Sequence, residues 1–252
     1  MPDFVRYGLL CLIVFATNFQ EAVTGFGCTV LALPFAILLL GGVAEAKPVL
    51  VLLALVLNVG ITLLSHKRIV WKEFLAILVL VAVGLPAGVL MADNLPEKSL
   101  KLVLAVFMIV IGSHGLLTLG NGVSTKASRR TRILSSGFLP LGGIIHGAFG
   151  SGGPLVVIYA TRALADKSVF RVTLAMAFVL INSAMVATWK FQHVLTMHHV
   201  YVAAMCLPFT LAGLFFGNHV HYRLPELAFK RIVYGVLAAG GVALGWVALA
   251  VK

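Results

Sequence analysis

Apolar residues run along this chain in long blocks, and polar and charged residues gather in the short stretches between them. Most blocks approach the ~20 residues with which a helix crosses the ~30 Å hydrocarbon core of a bilayer. A membrane β-barrel would show short segments of alternating polarity instead, so the pattern argues against one. We predict an all-α polytopic membrane protein with ten helical segments, at 4–20, 28–42, 48–65, 74–92, 99–119, 133–147, 154–164, 168–190, 197–217 and 229–251.

The second half of the chain repeats features of the first half. Glu21-(x)3-GFG is matched later by His146-(x)3-GSG, and Asn58 is matched by Asn182. NLPEKSLK near the end of the first half is matched by RLPELAFK in the second. Such self-similarity indicates an internal duplication. The predicted domains are a first membrane repeat at 1–119, a basic cytoplasmic linker at 120–132 and a second membrane repeat at 133–252.

The distribution of Lys and Arg predicts how the segments are oriented. If the first two segments of each half form an antiparallel pair, 13 of the 19 Lys and Arg residues lie on one side of the membrane. If each pair were one span, the split would be nearly even, and 4–42 is far too long for one crossing. The pair arrangement places both termini on the outer, periplasmic side. Because each half then holds five segments, the second repeat is inverted relative to the first, as in many transporters.

Glycine-rich breaks open both halves, and the apolar segment after each break is roughly half as long as the membrane is thick. A helix that begins at that depth has unpaired N–H groups and a partial positive charge at its start. A small anion is a suitable acceptor, and glycine lets it approach the backbone closely. The alternative is that the glycines only allow close helix packing. We predict a two-sided anion cradle formed by Thr24, Gly25, Phe26, Gly27, Cys28, Gly150, Ser151, Gly152, Gly153 and Pro154.

Two ionisable residues, Glu21 and His146, occupy equivalent positions just before the breaks. An ionisable group at such depth is a functional candidate, here for gating or proton coupling. The alternatives are a carboxylate near an interface or bonded to a neighbour, and a neutral histidine satisfied inside the bundle. Gln20, Asn58 and Asn182 are candidates for lining the pathway, although the two asparagines serve equally well as interhelical hydrogen-bond partners.

Composition excludes several other classes of protein. The net charge of +11 comes from residues in short loops, with no separate basic domain, so nucleic acid is not an expected partner. Three cysteines lie in apolar segments without metal or disulfide spacing, and the histidines at 193, 198 and 199 are a weak metal signal. No nucleotide-binding or hydrolase motif is present. We expect no cofactor, no metal and no catalytic residues.

NFQEAVTGFGCTVLALPF and GGIIHGAFGSGGPLVVIYATRALADKSVFRVTLAMAFVLINSAM resemble the TauE/SafE family of sulfite exporters and related anion permeases. The second stretch carries a glycine-rich break, a proline, a short helix, a charged loop and an asparagine-bearing helix in the family's order. The resemblance implies export of sulfite, organosulfonates or other small anions across the bacterial inner membrane. The first stretch departs from the second, because Cys28 stands where Pro154 follows the glycines.

The leading hypothesis is therefore a secondary transporter that exports a small sulfur-containing anion. The alternatives are a passive anion channel, a permease for another small anion such as a carboxylate, and a membrane-embedded enzyme that uses Glu21 and His146 as acid and base. Cytoplasmic Arg162, Lys167 and Arg171 are candidates for concentrating the anion at the entrance, or are simple orientation signals. The expected partners are the anion and the lipid bilayer, and a homodimer is left open.

Overall fold

The long apolar blocks fold into helices. The computed structural model describes residues 2–118, 129–223 and 226–250, and within these ranges the regular structure is helical, with no strand. The helices are α1 Asp3–Thr24, α2 Cys28–Leu40, α3 Val43–Ser65, α4 Trp71–Asn94, α5 Glu97–Thr118, α6 Arg129–Ser136, α7 Phe138–Phe149, α8 Gly153–Ala163, α9 Lys167–Phe191, α10 Met197–His221 and α11 Glu226–Ala250, with a 3-10 turn at His66–Arg68.

Among the described residues, six helices, α1, α3, α4, α5, α9 and α10, are long and apolar enough to cross a membrane. The all-α class predicted from the sequence is confirmed, and the chain is a multi-pass membrane protein. Helices α2 and α8, with 13 and 11 residues, reach ~20 Å and ~16 Å, which is well short of a full crossing.

Several predicted boundaries differ from the structure; for example, α3 begins at Val43 rather than at residue 48, and α10 continues to His221 rather than ending at residue 217. Helix α1 continues past residue 20 to Thr24, and the Gly25 N–H closes its last turn on the carbonyl oxygen of Glu21. The segment predicted at 133–147 begins inside α6 and is interrupted at Gly137 before α7 starts. Most of the predicted linker at 120–132 lies outside the described residues, and its last residues, 129–132, form the start of α6.

Helices of the first half pack in pairs with helices of the second half. Helix α1 of the first half packs on α10 of the second, and α4 of the first packs on α7 of the second. The third helices of the halves, α3 and α9, pack on each other, as do the fifth, α5 and α11. The core therefore lies between the halves, and neither half encloses it alone.

Glycines allow the closest of these helix contacts. A Cβ added at Gly84 would clash with the carbonyl oxygen of Pro140, and one added at Gly88 would clash with that of Ile144. Gly213 and Gly217 have the same role between α10 and α1. Small residues four positions apart let helix backbones approach in this way, so these glycines determine the distance between the halves.

We expect Gly88→Ala to destabilise the protein by about 3 kcal/mol, because the added methyl group meets backbone atoms that cannot move aside. The midpoint of thermal unfolding in detergent measures this effect. Gly8→Ala is the control, since no atom lies within 4 Å of a Cβ added at Gly8. Equal unfolding midpoints for the two variants would contradict this account of the α4–α7 contact.

Two basic residues that we assigned to loops when predicting the orientation are buried in helices. Lys47 in α3 is 8% exposed, and Arg171 in α9 is 1% exposed. The expectation that Arg171 gathers anions at a cytoplasmic entrance is therefore wrong, because its guanidinium is packed against α1 and bonded to the carbonyl oxygen of Ala22.

Candidate functional site

The break between α1 and α2 is a tight turn held by its own polar side chains. Gly25 and Gly27 have φ of 90° and 104°, a left-handed conformation that residues with side chains rarely adopt. The Gly25 N–H donates to the carbonyl oxygen of Glu21 at 2.6 Å and closes α1. The Thr24 hydroxyl donates to the Phe26 carbonyl at 2.8 Å and accepts from the Gln20 amide at 3.0 Å.

The break between α7 and α8 has the same elements in a simpler form. Gly150 has φ of 68°, and its N–H donates to the carbonyl oxygen of His146 at 2.7 Å. Helix α8 begins at Gly153, with Pro154 in its first turn, where a missing N–H breaks no helical hydrogen bond.

The buried carboxylate of Glu21 bonds to the start of α2. Its Oε2 accepts the Cys28 N–H at 2.6 Å, and its Oε1 accepts from the Asn58 amide at 2.9 Å. The carboxylate is 4% exposed and interacts favourably with the positive end of the α2 dipole. The Cys28 N–H, expected from the sequence to be open to an anion, is therefore already occupied by the Glu21 carboxyl group.

The imidazole of His146 has the corresponding position at α8. Its Nδ1 accepts the Gly152 N–H at 3.2 Å, which leaves the hydrogen on Nε2 to donate to Asn182 Oδ1 at 2.9 Å. Its ring stacks on Phe178 with centroids 5.6 Å apart. This pair of hydrogen bonds fits the neutral imidazole, because protonation of Nδ1 would break the bond from Gly152.

A cavity lies between the two breaks. The centre of a water-sized sphere can move through about 20 Å³ of this cavity, so the cavity has room for about one water molecule. It is lined by Glu21, Gly27, Thr29, Val30, Ala54, Asn58, His146, Gly150, Ser151, Gly153, Phe178 and Asn182.

The cavity gathers residues from both predicted sides of the cradle. Of the predicted site residues, Glu21, Gly27, Asn58, His146, Gly150, Ser151, Gly153 and Asn182 line it, whereas Gln20, Thr24, Gly25, Phe26, Cys28, Gly152 and Pro154 lie outside its lining. Sequence reasoning missed Thr29, Val30, Ala54 and Phe178. For Ala54 and Phe178 a signal existed, because each precedes its cavity asparagine by four residues and so shares its helix face.

One side chain of the cavity has an unused hydrogen-bonding group. The Ser151 hydroxyl is buried, with 5% of the residue exposed, and it has no hydrogen-bond partner among the described residues. Buried hydroxyls normally have a partner, so an unpaired one in a cavity indicates a place for a ligand or a water.

The starts of α2 and α8 have no N-cap side chain, a feature they share with α1, α3, α4 and α7. Asp166 caps α9 by accepting two backbone N–H groups, and Thr196 caps α10 in a capping box. Helices α2 and α8 follow glycines, which have no capping side chain. Across the described ranges, the N–H groups of Thr29 and Leu155 find no acceptor. Both breaks therefore keep donors available beside the cavity.

Within the described part of the chain, the other histidines and cysteines form no comparable site. His199 bonds to Glu45 at 3.1 Å, and Cys11 and Cys206 are free thiols with sulfur atoms 3.7 Å apart. The described residues contain no group of three or more His, Cys, Asp or Glu that could hold a metal ion.

Comparisons with known proteins place the chain among membrane transporters. The family model described as "Sulfite exporter TauE/SafE" matches residues 10–244. The probable inner membrane transporter protein TsaS of Comamonas testosteroni is 23% identical over 182 residues, covering 72% of this chain and 74% of that protein. No solved structure matches the chain.

Proposed function

Because the chain belongs to the sulfite exporter TauE/SafE family, we propose that it is a secondary transporter that exports a small sulfur-containing anion, sulfite or an organosulfonate, across the bacterial inner membrane. The observation that carries the proposal is the cavity between the two helix breaks, which combines an unpaired serine hydroxyl with open backbone N–H groups. These are hydrogen-bond donors of the kind that an oxyanion needs.

The two halves form inverted repeats, each opened by a hairpin of a broken helix. The packing of helices supports this arrangement. Helix α1 packs on α10 and the equivalent α7 packs on the equivalent α4, so a pseudo-twofold axis would relate the two contacts. In this arrangement α2 and α8 enter from opposite sides of the membrane and meet at the cavity, and both chain termini lie on the periplasmic side.

The substrate binds mainly at the start of α8. The Cys28 N–H of α2 is already occupied by the Glu21 carboxylate, whereas the α8 side faces the cavity with Ser151, Gly150 and Gly153. His146 is neutral and adds no repulsion. The predicted cradle thus has unequal sides, with the stronger anion site in the second half.

Glu21 is the gate of this transporter and does not carry a proton across the membrane with the anion. Expelling one negative charge from a cell gains about 2.3 kcal/mol per 100 mV of membrane potential. If Glu21 released a proton together with a monoanion, transport would be electroneutral and this gain would be lost. An ionised Glu21 keeps the driving force, and its repulsion of the bound anion favours release.

We expect Ser151→Ala to raise the KM for the transported anion about tenfold, because a hydrogen bond to a charged group contributes about 1.5 to 3 kcal/mol. Folding should be unaffected, since the hydroxyl has no partner to lose. Initial rates of sulfite efflux from proteoliposomes measure the KM. Ser136→Ala is the control, because Ser136 bonds to Ile133 in an exposed part of α6. An unchanged KM in Ser151→Ala would remove this hydroxyl from the site.

The transport function itself is tested by counterflow in proteoliposomes. Vesicles loaded with sulfite, thiosulfate, an alkanesulfonate, sulfate or acetate are diluted into labelled anion. A carrier gives saturable uptake that depends on the internal anion, whereas a channel gives flux that does not saturate. Absence of flux for all five anions would refute the proposed function.

A further inference from the structure

Two buried cations lie at equivalent positions in the halves. Lys47 precedes the cavity residue Asn58 by eleven positions in α3, and Arg171 precedes Asn182 by eleven positions in α9. Both residues are nearly inaccessible, at 8% and 1% exposure. Burial of a charge within a membrane protein is costly, so two such residues in matching places require an explanation.

Each cation contacts the broken helix of the opposite half. Lys47 Nζ donates to the carbonyl oxygen of Gly147 at 2.7 Å, and Arg171 Nη1 donates to that of Ala22 at 2.7 Å. Ala22 and Gly147 directly follow Glu21 and His146, so the two contacts are equivalent as well. A Cβ built at Gly150, which lines the cavity, would lie 3.8 Å from Cγ of Lys47.

Neither cation has a carboxylate within 4.0 Å in the described ranges, although Asp93 is near enough to Lys47 to act on its charge. Throughout residues 2–118, 129–223 and 226–250, every ion pair within 4.0 Å involves other residues. The remaining contacts of the two cations are uncharged. Lys47 lies 5.2 Å from the ring centroid of Trp189, and Arg171 Nη2 donates to Asn218 at 2.8 Å. Arg171 Nε is buried without a partner in the described part of the chain. The charge of Arg171 therefore has no acidic partner among these residues, and that of Lys47 is opposed by Asp93 only at a longer range than an ion pair.

The geometry of a break explains what this charge can do. At each break the negative end of one helix lies beside the positive end of the next, so the two dipoles oppose each other at the cavity. A cation on the last turn of α1 or α7 offsets the negative end. The positive ends of α2 and α8 then dominate the potential that an anion experiences.

We propose that Lys47 and Arg171 are positioning residues that set the charge selectivity of transport, by neutralising the helix ends that would repel an anion. This inference rests on the proposed function and extends it to two residues outside the cavity lining. A hydrogen bond alone does not require a cation, because neutral His221 satisfies the neighbouring carbonyl of Val23 with its ring nitrogen at 2.7 Å.

The experiment compares a monoanion with a dianion whose charges do not change with pH, namely methanesulfonate and methanedisulfonate. KM for efflux, or inhibition of sulfite efflux, is measured in proteoliposomes for Lys47→Gln, Lys47→Arg, Arg171→Gln and Arg171→Lys. Because Coulomb energy is proportional to charge, a variant that weakens binding of the monoanion about fivefold should weaken binding of the dianion about 25-fold. The two charge-preserving variants should retain the wild-type ratio of the two constants.

Lys101→Gln is the matched control, because Lys101 is a partly covered cation already paired with Glu97 at 2.9 Å. An unchanged ratio in both glutamine variants would overturn the inference while leaving the proposed transport intact. If both glutamine variants fail to fold and the charge-preserving variants fold, the cations are structural and the inference is also overturned. If wild-type protein moves neither sulfite nor a sulfonate, the proposed function itself fails.

Discussion

Glu21→Gln is expected to bind the transported anion more tightly and to release it more slowly than the wild type. A carboxylate and an anion roughly 8 Å apart repel each other by about 2 kcal/mol at an effective dielectric constant of 20. Removing this repulsion should lower KM by about tenfold or more and reduce the maximal rate. Efflux of an alkanesulfonate measures both constants, because the charge of a sulfonate is the same at every pH tested.

The variant is expected to fold. The carbonyl oxygen of the introduced amide can still accept the Cys28 N–H, and Asn58 can rotate to offer its own carbonyl oxygen, which is buried without a partner among the described residues. The wild type should show a falling KM as the pH falls, because protonation of Glu21 removes the same repulsion. This dependence should be absent from Glu21→Gln.

Glu97→Gln is a matched control for this substitution. The Glu97 carboxylate also accepts a helix N-terminal N–H, that of Val43 at 3.1 Å, but it lies outside the cavity. Its KM and pH profile should resemble those of the wild type. A Glu21→Gln variant with the same KM as the wild type would show that the anion does not pass near this carboxylate.

Gly153→Leu should abolish transport, with a loss of more than about 100-fold, because the side chain fills a cavity that holds about one water molecule. A Cβ at Gly153 meets Phe26 at 3.4 Å, an ordinary contact, so the first carbon of the new side chain is accommodated. Gly153→Ala should give an intermediate loss. Gly152 is unsuitable for this test, since a side chain there would clash with the carbonyl oxygen of Gly142.

Gly8→Leu is the control for Gly153→Leu, because a Cβ added at Gly8 meets no atom within 4 Å. Elution as a single species in detergent shows that both variants fold. Normal sulfite efflux through folded Gly153→Leu would place the pathway away from the helix breaks.

Much of the fold could be predicted from the sequence because the thickness of the bilayer sets the length of each apolar segment that crosses it. The apolar segments of α2 and α8 are about half as long as a full crossing, and glycines precede both, so the order of residues was enough to predict two short helices. The direction of the Glu21 side chain does not, because a carboxylate in that place could equally point to solvent, to a neighbour or into a pathway. Its bond to Cys28 spans the left-handed turn at Gly25 and Gly27, which brings the start of α2 back to the last turn of α1.

The roles of Lys47 and Arg171 could not be predicted for a related reason. In the sequence both residues lie near the ends of apolar segments, where basic residues usually mark orientation. Their burial comes from the packing of α3 and α9 on each other and against the opposite halves, which no local pattern encodes. Their shared spacing to Asn58 and Asn182 was the available signal.

The central claim is that the anion binds between the two helix breaks, at the start of α8. An experimental structure with selenite, an electron-rich analogue of sulfite, tests it most directly. The account predicts selenium density within hydrogen-bond distance of Ser151 Oγ and of the backbone N–H groups of Gly153 and Leu155, and no such density in Gly153→Leu. Selenium bound elsewhere in the wild type, with the space between the breaks unoccupied, would contradict it.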